Sequence, residues 1–372
     1  MDLVKWKSPR FRRFLVFRNL CVDIPICAVL RTWDTLVLAS NSRRNYLSNR
    51  YDPFDCRTAH AKGNRWATEN VVGTNMKSTL FWAVAIAVGG TVAFTSCETK
   101  STPPPPDHPR LTSNTTLRDT TFHSPALNRD MPYRVILPLS IPNGKKLPVL
   151  YLLHGGGGNF RDWSNYSDVA RFAEKGLILV MPEGESSYYT NAADRPQDRF
   201  EDYIATDLIA DVEQNFPAAP GRANRAIMGI SMGGFGAVNL ALKHPDLFIF
   251  AAGISSALDV PSRPFSIKRI GQYRQHAAIF GPWKNEHRRA NDPFVLVRSA
   301  DPTRTPYLYL TCGDQEGLLP ANRQFAALLK GRHIPSEFHP GPGSHDWNQW
   351  NPRLDDAFQS LFTHLAQPEN PK

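Results

Sequence analysis

Residues 225–237 read RAIMGISMGGFGA, and this stretch decides the fold. The apolar residues at its start predict a buried strand, and the small residues after Ser231 predict a helix. Gly229 and Gly233 stand two residues before and after the serine. A sharp turn from strand to helix needs both glycines, because a side chain at either position would collide with the strand or the helix. The pattern therefore predicts that the Ser231 hydroxyl is exposed at the carboxyl edge of a sheet.

Strand and helix patterns alternate along the chain on both sides of this turn. Strands are predicted at residues 131–137, 148–153, 178–181, 225–229, 247–254, 307–311 and 337–339, and helices at 203–216, 233–244, 320–330 and 355–365. Such alternation is typical of a mostly parallel sheet with helices on both faces. The sequence therefore predicts an α/β fold in a single folded domain over residues 112–367.

Four histidines follow the serine late in the chain, where a partner base is expected. They are His333, His339, His345 and His364. A serine hydroxyl needs a base to act as a nucleophile, and that base needs an acid to orient it. His345 lies in a Gly/Pro-rich loop after the last predicted strand, and such a loop can carry an imidazole over the strand ends. His345 is therefore the predicted general base, whereas the other three are expected at the surface or on a strand.

Two carboxylates compete for the role of the acid. The strand at 307–311 leads into the loop CGDQEG, which contains Asp314 and Glu316. Both residues follow the strand at the expected edge of the sheet. The residues alone therefore do not decide between Asp314 and Glu316. Whichever of the two is not the acid would be a solvated loop carboxylate.

A second glycine-rich segment, YLLHGGGGN at residues 151–159, follows another apolar strand. Attack on an ester carbonyl builds negative charge on oxygen, and preorganised N–H donors stabilise that charge by about 3 kcal/mol each. The backbone N–H groups of Gly156 and Met232 are the predicted donors, and His154 is expected to be structural. A phosphate-binding loop is disfavoured, because the segment lacks the Lys-Ser/Thr pair of a P-loop.

These motifs together resemble the esterase D-like branch of the α/β-hydrolases, over about residues 115–366. The resemblance rests on YLLHGGGGN, VMPEGESSYYTN (180–191), RAIMGISMGGFGA with ALKHPDLF (241–248), CGDQEGLLPANR (312–323) and GSHDW (343–347). This branch includes feruloyl and acetyl-xylan esterases, S-formylglutathione hydrolases, tributyrin-type esterases and mycolyltransferases. The resemblance implies an α/β-hydrolase fold and a serine esterase that uses no metal or organic cofactor.

The resemblance also assigns roles to individual residues. Ser231 and His345 match the family pattern for the nucleophile and the base, and Gly156 matches the first oxyanion donor. In the family, the acid usually stands three residues after the glycine of the C-G motif, which here is Glu316, although aspartate is commoner there. The resemblance therefore favours Glu316 over Asp314.

Several aromatic residues are candidates for the walls of a substrate pocket. Tyr188, Tyr189 and Trp347 could present aromatic surfaces suited to a sugar or phenolic ring, with core packing as the alternative. Residues 255–300 contain further aromatic and basic residues between two predicted strands. An insertion there would overhang the strand ends and shape the substrate pocket. The alternative is that these residues only pack on the surface of the domain.

The net charge of +9 is concentrated near the N-terminus. Residues 1–75 contain 13 basic and 6 acidic side chains, and the rest of the chain contains 30 basic and 28 acidic ones. The charge therefore gives no reason to expect nucleic acid as a partner of the folded domain.

The segment before the domain is typical of exported proteins. Residues 76–97 combine a lysine, a short apolar run and small residues leading into Cys97, which indicates a signal peptide with a lipidated cysteine. An uncleaved membrane anchor is the alternative. Residues 1–75 are predicted to be a non-native or disordered extension, and the proline-rich residues 98–111 a linker. The expected location is the periplasm or cell surface, with membrane attachment only through Cys97.

The predicted function is hydrolysis of carboxylic esters through an acyl-enzyme. The expected substrates are short-chain acyl, acetyl or feruloyl esters of saccharides. An acyltransferase with a sugar acceptor would use the same three residues, and a catalytically silent carbohydrate-binding protein on this fold is the remaining alternative.

Overall fold

One sheet of eight strands organises the part of the chain that the computed structural model describes, residues 106–265, 267 and 270–365. The strands are β1 (Thr115–Ser124), β2 (Arg129–Pro138), β3 (Val149–Leu153), β4 (Ile178–Pro182), β5 (Arg225–Ile230), β6 (Phe250–Ile254), β7 (Tyr307–Gly313) and β8 (Ser336–Gly341). Their order across the sheet is β1-β2-β4-β3-β5-β6-β7-β8. The pairs β1/β2 and β2/β4 are antiparallel, and all other neighbours are parallel.

Helices lie in each connection from β3 onward and after β8. They are α1 (Asp162–Tyr166), α2 (Ala170–Ala173), α3 (the continuous segments Phe200–Asp202, π-helical Tyr203–Leu208 and Ile209–Asn215), α4 (Met232–Lys243), α5 (Ile270–Phe280), α6 (Glu286–Ala290), α7 (Pro293–Ser299), α8 (Leu319–Gly331), α9 (Trp347–Trp350) and α10 (Leu354–His364). None of the described helices is long and apolar enough to cross a membrane.

Two apolar cores lie on opposite faces of the sheet, because successive side chains of a strand point to opposite faces. In β3, Tyr151 and Leu153 belong to the core that includes α3, α4 and α8. Leu150 and Leu152 belong to the other core, which includes α2 and α10. All five residues of β3 are buried, which explains why the strand is apolar throughout. The predicted α/β-hydrolase fold, with helices on both faces of a mostly parallel sheet, is confirmed.

The sequence pattern missed the edge strand β1, whose residues read TTLRDTTFHS. Most of its side chains are exposed or half-buried, so the strand lacks the apolar run that marks the central strands. Its pairing with β2 along ten residues holds it in place. Helices α1, α2 and α9, of four or five residues each, were also missed, because they are too short for a periodic pattern.

A fully buried arginine joins the start of the described chain to the sheet. Arg134 of β2 has no exposed side-chain surface and forms ion pairs at 2.6 Å with both Asp107 and Asp119. Its Nη1 also donates to Ser164 Oγ at 2.8 Å. Residue 107 falls within the predicted linker of residues 98–111, so the end of that segment contacts the domain. The predictions for residues 1–75 and for the signal segment 76–97 with Cys97 lie outside the described residues.

Candidate active site

Ser231 occupies a sharp turn between β5 and α4. Its backbone φ of 54° lies in the region that L-residues rarely adopt. A Cβ on Gly229 would stand 2.2 Å from the backbone of Gly233, and a Cβ on Gly233 would stand 2.3 Å from the carbonyl oxygen of Leu153. Both glycines are therefore required by close backbone packing, as the G-x-S-x-G pattern predicts.

The structure brings the predicted base to the predicted nucleophile. His345 lies in the loop between β8 and α9, and its Nε2 is 2.8 Å from Ser231 Oγ. Its Nδ1 is 2.6 Å from Glu316 Oε2. A carboxylate only accepts hydrogen bonds, so Nδ1–H donates to Glu316 and leaves Nε2 free to accept from the serine hydroxyl. These two bonds connect residues that are 114 and 29 positions apart in the sequence.

Glu316, and not Asp314, contacts the imidazole. The Glu316 side chain is 1% exposed, whereas that of His345 is 40% exposed. Burial raises the pKa of Glu316, but hydrogen bonds from His345, Ser255 Oγ and the Gly313 N–H outweigh it and hold the pKa below its usual value. Asp314 is exposed and accepts a bond from the Gly343 N–H at 3.1 Å, so it holds the histidine loop.

Ser255 is a site residue that the sequence reasoning missed. Its Oγ donates to Glu316 Oε1 at 2.6 Å and accepts from the indole N–H of Trp350 at 3.0 Å. Ser255 directly follows β6 and has a positive φ of 49°. Its position at the carboxyl end of a strand was the available signal, because the other strands that end at this edge carry the reacting residues.

The glycine loop after β3 lies next to the serine turn. A Cβ on Gly155 would stand 3.5 Å from Ser231 Cβ, and one on Gly156 would stand 3.9 Å from Met232 Cβ. Met232 is the first residue of α4, and a first-turn N–H has no acceptor within its own helix. The predicted donors Gly156 and Met232 are therefore neighbours beside Ser231.

His154 holds the base of this loop and is fully buried. Its Nδ1 bonds with the carbonyl oxygen of Gly155 at 2.8 Å, and its Nε2 accepts from the Gly184 N–H at 2.9 Å. Its Nε2 also lies 3.3 Å from Glu183 Oε1, so the ring is held between the glycine loop and the segment that follows β4. This arrangement fits the structural role expected for His154.

The three aromatic residues proposed as pocket walls have different surroundings. Tyr189 is fully buried and donates to the carbonyl oxygen of His154 at 3.1 Å, so it supports the glycine loop and does not line an accessible pocket. The prediction for Tyr189 is therefore corrected to core packing. Tyr188 is half-buried against Phe235. Trp347 is also half-buried and packs edge-on against Trp350.

The strand order places these groups at a crevice in the sheet. The chain passes from β3 outward to β4 on one side, and from β5 to β6 on the other. In open α/β sheets, ligands bind outside the carboxyl ends of the strands where the order reverses in this way. The glycine loop leaves β3 and Ser231 leaves β5, so the candidate site lies at that point.

The described part of the chain contains no cluster of three or more His, Cys, Asp or Glu side chains arranged to hold a metal ion. Cys312 is buried, and burial raises the pKa of its thiol to about 12, so its thiolate is not a competing nucleophile. Ser231 is therefore the best-placed nucleophile among these residues.

An α/β-hydrolase fold with a serine on a nucleophile turn defines a serine hydrolase. A family model described as "Putative esterase" matches residues 124–361, which is more than half of the chain. The chain therefore belongs to this esterase family, and it is a carboxylic ester hydrolase.

Relatives and solved structures agree with this family. The chain is 28% identical over 253 residues to an acetyl esterase of Caldicellulosiruptor saccharolyticus, covering 64% of this chain and 95% of that relative. It is 27% identical to the diacylglycerol acyltransferase/mycolyltransferase Ag85A of Mycobacterium leprae, covering 65% and 82% of the two chains. It resembles the serine hydrolase FphF of Staphylococcus aureus with a TM-score of 0.59 at 27% identity, covering 66% and 98%. A ferulic acid esterase matches with a TM-score of 0.58 at 25% identity, covering 68% and 99%.

Proposed function

We propose that this protein hydrolyses short-chain acyl, acetyl or feruloyl esters of saccharides through an acyl-enzyme on Ser231. The observation that carries the proposal is the continuous set of hydrogen bonds from Ser231 through His345 to Glu316. The fixed tautomer of His345 presents an acceptor to the serine hydroxyl, which is what a general base requires.

In the proposed first half-reaction, Ser231 Oγ attacks the ester carbonyl carbon while His345 Nε2 takes the hydroxyl proton. The carbonyl oxygen becomes an oxyanion and accepts hydrogen bonds from the N–H groups of Gly156 and Met232. His345 then returns the proton to the departing alcohol. Throughout this step, the carboxylate of Glu316 stabilises the imidazolium and keeps the ring in place.

In the second half-reaction, water takes the place of the alcohol. His345 removes a proton from the water as it attacks the acyl-enzyme, and the proton is then given to Ser231 as the acid leaves. The imidazole is 40% exposed, which leaves its edge accessible to an incoming water molecule.

The substrate class is proposed from two kinds of support. The matched proteins include one named acetyl esterase and one named ferulic acid esterase. The export signal expected at residues 76–97 would place the domain outside the cytoplasm, where esters on polysaccharides are found. We therefore favour a saccharide ester over a cytosolic thioester.

An acyltransferase is the second candidate, supported by the similarity to the mycolyltransferase Ag85A. Transfer would use the same acyl-enzyme, with a sugar hydroxyl in place of water. Product analysis with and without an added sugar acceptor separates the two. Free acid as the main product in both cases supports hydrolysis, and acylated sugar as the main product supports transfer.

The proposed activity is tested on the purified protein with a panel of esters. The panel contains p-nitrophenyl acetate, p-nitrophenyl butyrate, methyl ferulate and acetylated xylo-oligosaccharides. We expect turnover of the aryl esters and a higher kcat/KM for at least one saccharide or feruloyl ester. Turnover of the aryl esters with no activity on any saccharide or feruloyl ester would contradict the substrate class.

The proposed location is the periplasm or cell surface, with a lipid at Cys97. Fractionation of cells that express the full chain, combined with labelling by a clickable fatty acid, tests this proposal. We expect label on the wild-type protein in the membrane fraction and none on Cys97→Ser. Unlabelled wild-type protein in the cytoplasm would contradict both export and lipidation.

A further inference from the structure

A cavity of about 410 Å³ lies beyond the candidate active site, where the segment that follows β6 meets α6. The side chains that matter for its chemistry are Ser262, Trp283, Lys284, Arg288, Arg289 and Asp292. We call it the cationic cavity, because three of these residues carry positive charge and one carries negative charge. None of them takes part in the ester chemistry described above.

Arg288 is the unusual member of this group. It is 4% exposed, and its guanidinium donates to the carbonyl oxygens of Gly281 and Pro261 at 2.7–3.2 Å. These contacts use three of its five N–H groups. Burial lowers the pKa of Arg288, and no carboxylate of the described residues counteracts that effect. A buried charge normally has an ionic partner, so Arg288 has spare donors and an uncompensated charge beside a cavity.

Asp292, the one acid of the cavity, does not supply that partner. Its carboxylate accepts from the N–H of Phe294 at 2.9 Å and so caps the start of α7. Burial raises the pKa of Asp292 above its usual value. Asp292 thus uses its carboxylate at the start of its own helix, whereas Arg288 donates to backbone carbonyl oxygens. The positive charge of Arg288 is therefore available to a ligand.

Trp283 supplies an apolar surface next to these cations. Trp283 is 37% exposed, and its backbone N–H donates to Tyr273 Oη at 3.2 Å. Lys284 and Arg289 are exposed at the same opening. A flat indole face beside fixed positive charges suits a ring that carries a carboxylate better than it suits a bare inorganic anion.

The cationic cavity is connected to the nucleophile turn by short contacts. The Ala257 N–H donates to the carbonyl oxygen of Ser231 at 3.1 Å. Pro261 is four residues further on, and since an extended chain spans at most ~3.6 Å per residue, it lies within about 15 Å of Ala257. Phe280 also links the cationic cavity to the helix that follows Ser231. Its ring packs against Phe235 of α4 and lies under the Arg288 guanidinium.

We infer that the cationic cavity is a subsite for the carboxylate of a uronic acid within the saccharide that carries the ester. Arg288 and one of the exposed cations would bind the carboxylate, and Trp283 would contact the face of the sugar ring. This inference rests on the proposed function, since it specifies which saccharide esters the enzyme prefers. It predicts a preference for acidic over neutral acetylated oligosaccharides.

The test compares two acetylated xylo-oligosaccharides that differ only in the presence of a glucuronic acid branch. The variant Lys284→Gln/Arg289→Gln removes the two exposed charges and leaves the buried Arg288 in place, so it is expected to fold. The control Lys330→Gln/Arg332→Gln removes two exposed charges from the end of α8. We expect the wild-type and control proteins to favour the acidic substrate in kcat/KM by roughly tenfold, and the cavity variant to lose most of that preference.

Each outcome decides one part of the inference. Equal kcat/KM for the acidic and neutral substrates in the wild-type protein would overturn it. A preference that sodium phosphate competes away in wild type and that Lys284→Gln/Arg289→Gln leaves intact would also overturn it, because the inference requires one of these two exposed cations in addition to Arg288. If no ester is hydrolysed but the glucuronic acid oligosaccharide binds wild type more tightly than the cavity variant, the proposed esterase substrate fails while the carboxylate subsite stands.

Discussion

The hydroxyl of Ser255 donates a hydrogen bond to Oε1 of Glu316, 2.6 Å away, while His345 contacts Oε2 of the same carboxylate. The indole N–H of Trp350 donates to Ser255 Oγ at 3.0 Å and so restricts the orientation of that hydroxyl. The Gly313 N–H also donates to Oε1 at 2.8 Å. Glu316 is longer than the aspartate that is commoner at this position, and these bonds hold its carboxylate in one place. Ser255 is therefore a positioning residue for the acid.

The first prediction separates the two carboxylates of the loop after β7. Glu316→Gln should lower kcat by about 10³-fold or more, because an amide neither fixes the His345 tautomer nor stabilises the imidazolium. Asp314→Asn is the matched control, since the amide oxygen still accepts from the Gly343 N–H. We expect it to remain within about threefold of wild type. A larger loss of kcat in Asp314→Asn would assign the acid to that residue.

The second prediction concerns the strained backbone of Ser231. Ser231→Ala and Ser231→Gly should both reduce kcat/KM by at least about 10³-fold. The glycine variant should also be more stable than the alanine variant by about 1 kcal/mol, because glycine tolerates the positive φ. Urea unfolding measures this difference. Equal stabilities would show that the turn stores no backbone strain, and residual esterase activity near wild type would exclude Ser231 as nucleophile.

The third prediction tests the packing that holds the nucleophile turn. Gly233→Ala should lower the free energy of unfolding by about 2 kcal/mol or more, because the added Cβ meets the Leu153 carbonyl oxygen at 2.3 Å. Gly271→Ala is the control, since nothing lies within 4 Å of its added Cβ. It should change stability by less than about 1 kcal/mol. Similar unfolding midpoints for the two variants would contradict the close approach of α4 to β3.

The fourth prediction is a pH dependence of stability. Burial, with further contributions from Arg263 and Arg288, lowers the pKa of His276 from 6.5 to about 4. Between these two values, the unfolded chain binds a proton that the folded protein does not, so stability falls as the pH is lowered from 6.5 towards 4. His276→Gln should therefore lose less stability than wild type between pH 7 and pH 5 in urea unfolding.

A matched histidine variant completes this test. His108→Gln changes an exposed histidine and should keep the wild-type pH dependence. Identical losses of stability between pH 7 and pH 5 in wild type and His276→Gln would show that His276 is not held neutral in the folded protein.

The central strands and the serine turn could be predicted from the sequence because their residues satisfy several constraints at once. In RAIMGISMGGFGA, burial requires apolar residues in the strand and close backbone packing requires the glycines. The local sequence alone therefore predicts this strand and turn. The same holds for β3 and its glycine loop. The edge strand β1 could not be recognised, because its half-exposed side chains are specified by pairing with β2 rather than by burial.

Contacts between distant segments were harder to predict. Ser255 contacts Glu316 across 61 residues, and Trp350 contacts Ser255 across 95. Apart from its position at the end of a strand, no local pattern distinguishes such a serine from one in an ordinary turn. Tyr189 is fully buried whereas its neighbour Tyr188 is half-buried, and adjacency in the sequence did not reveal this difference.

The most direct test of the central claim is peptide mapping after reaction with a fluorophosphonate, which modifies an activated serine covalently. We expect one adduct per chain, on the peptide that contains Ser231, with loss of esterase activity in proportion to labelling. Ser231→Ala should take up no label, and His345→Gln should be labelled far more slowly. Complete inactivation of the wild-type protein with Ser231 unmodified would contradict the account.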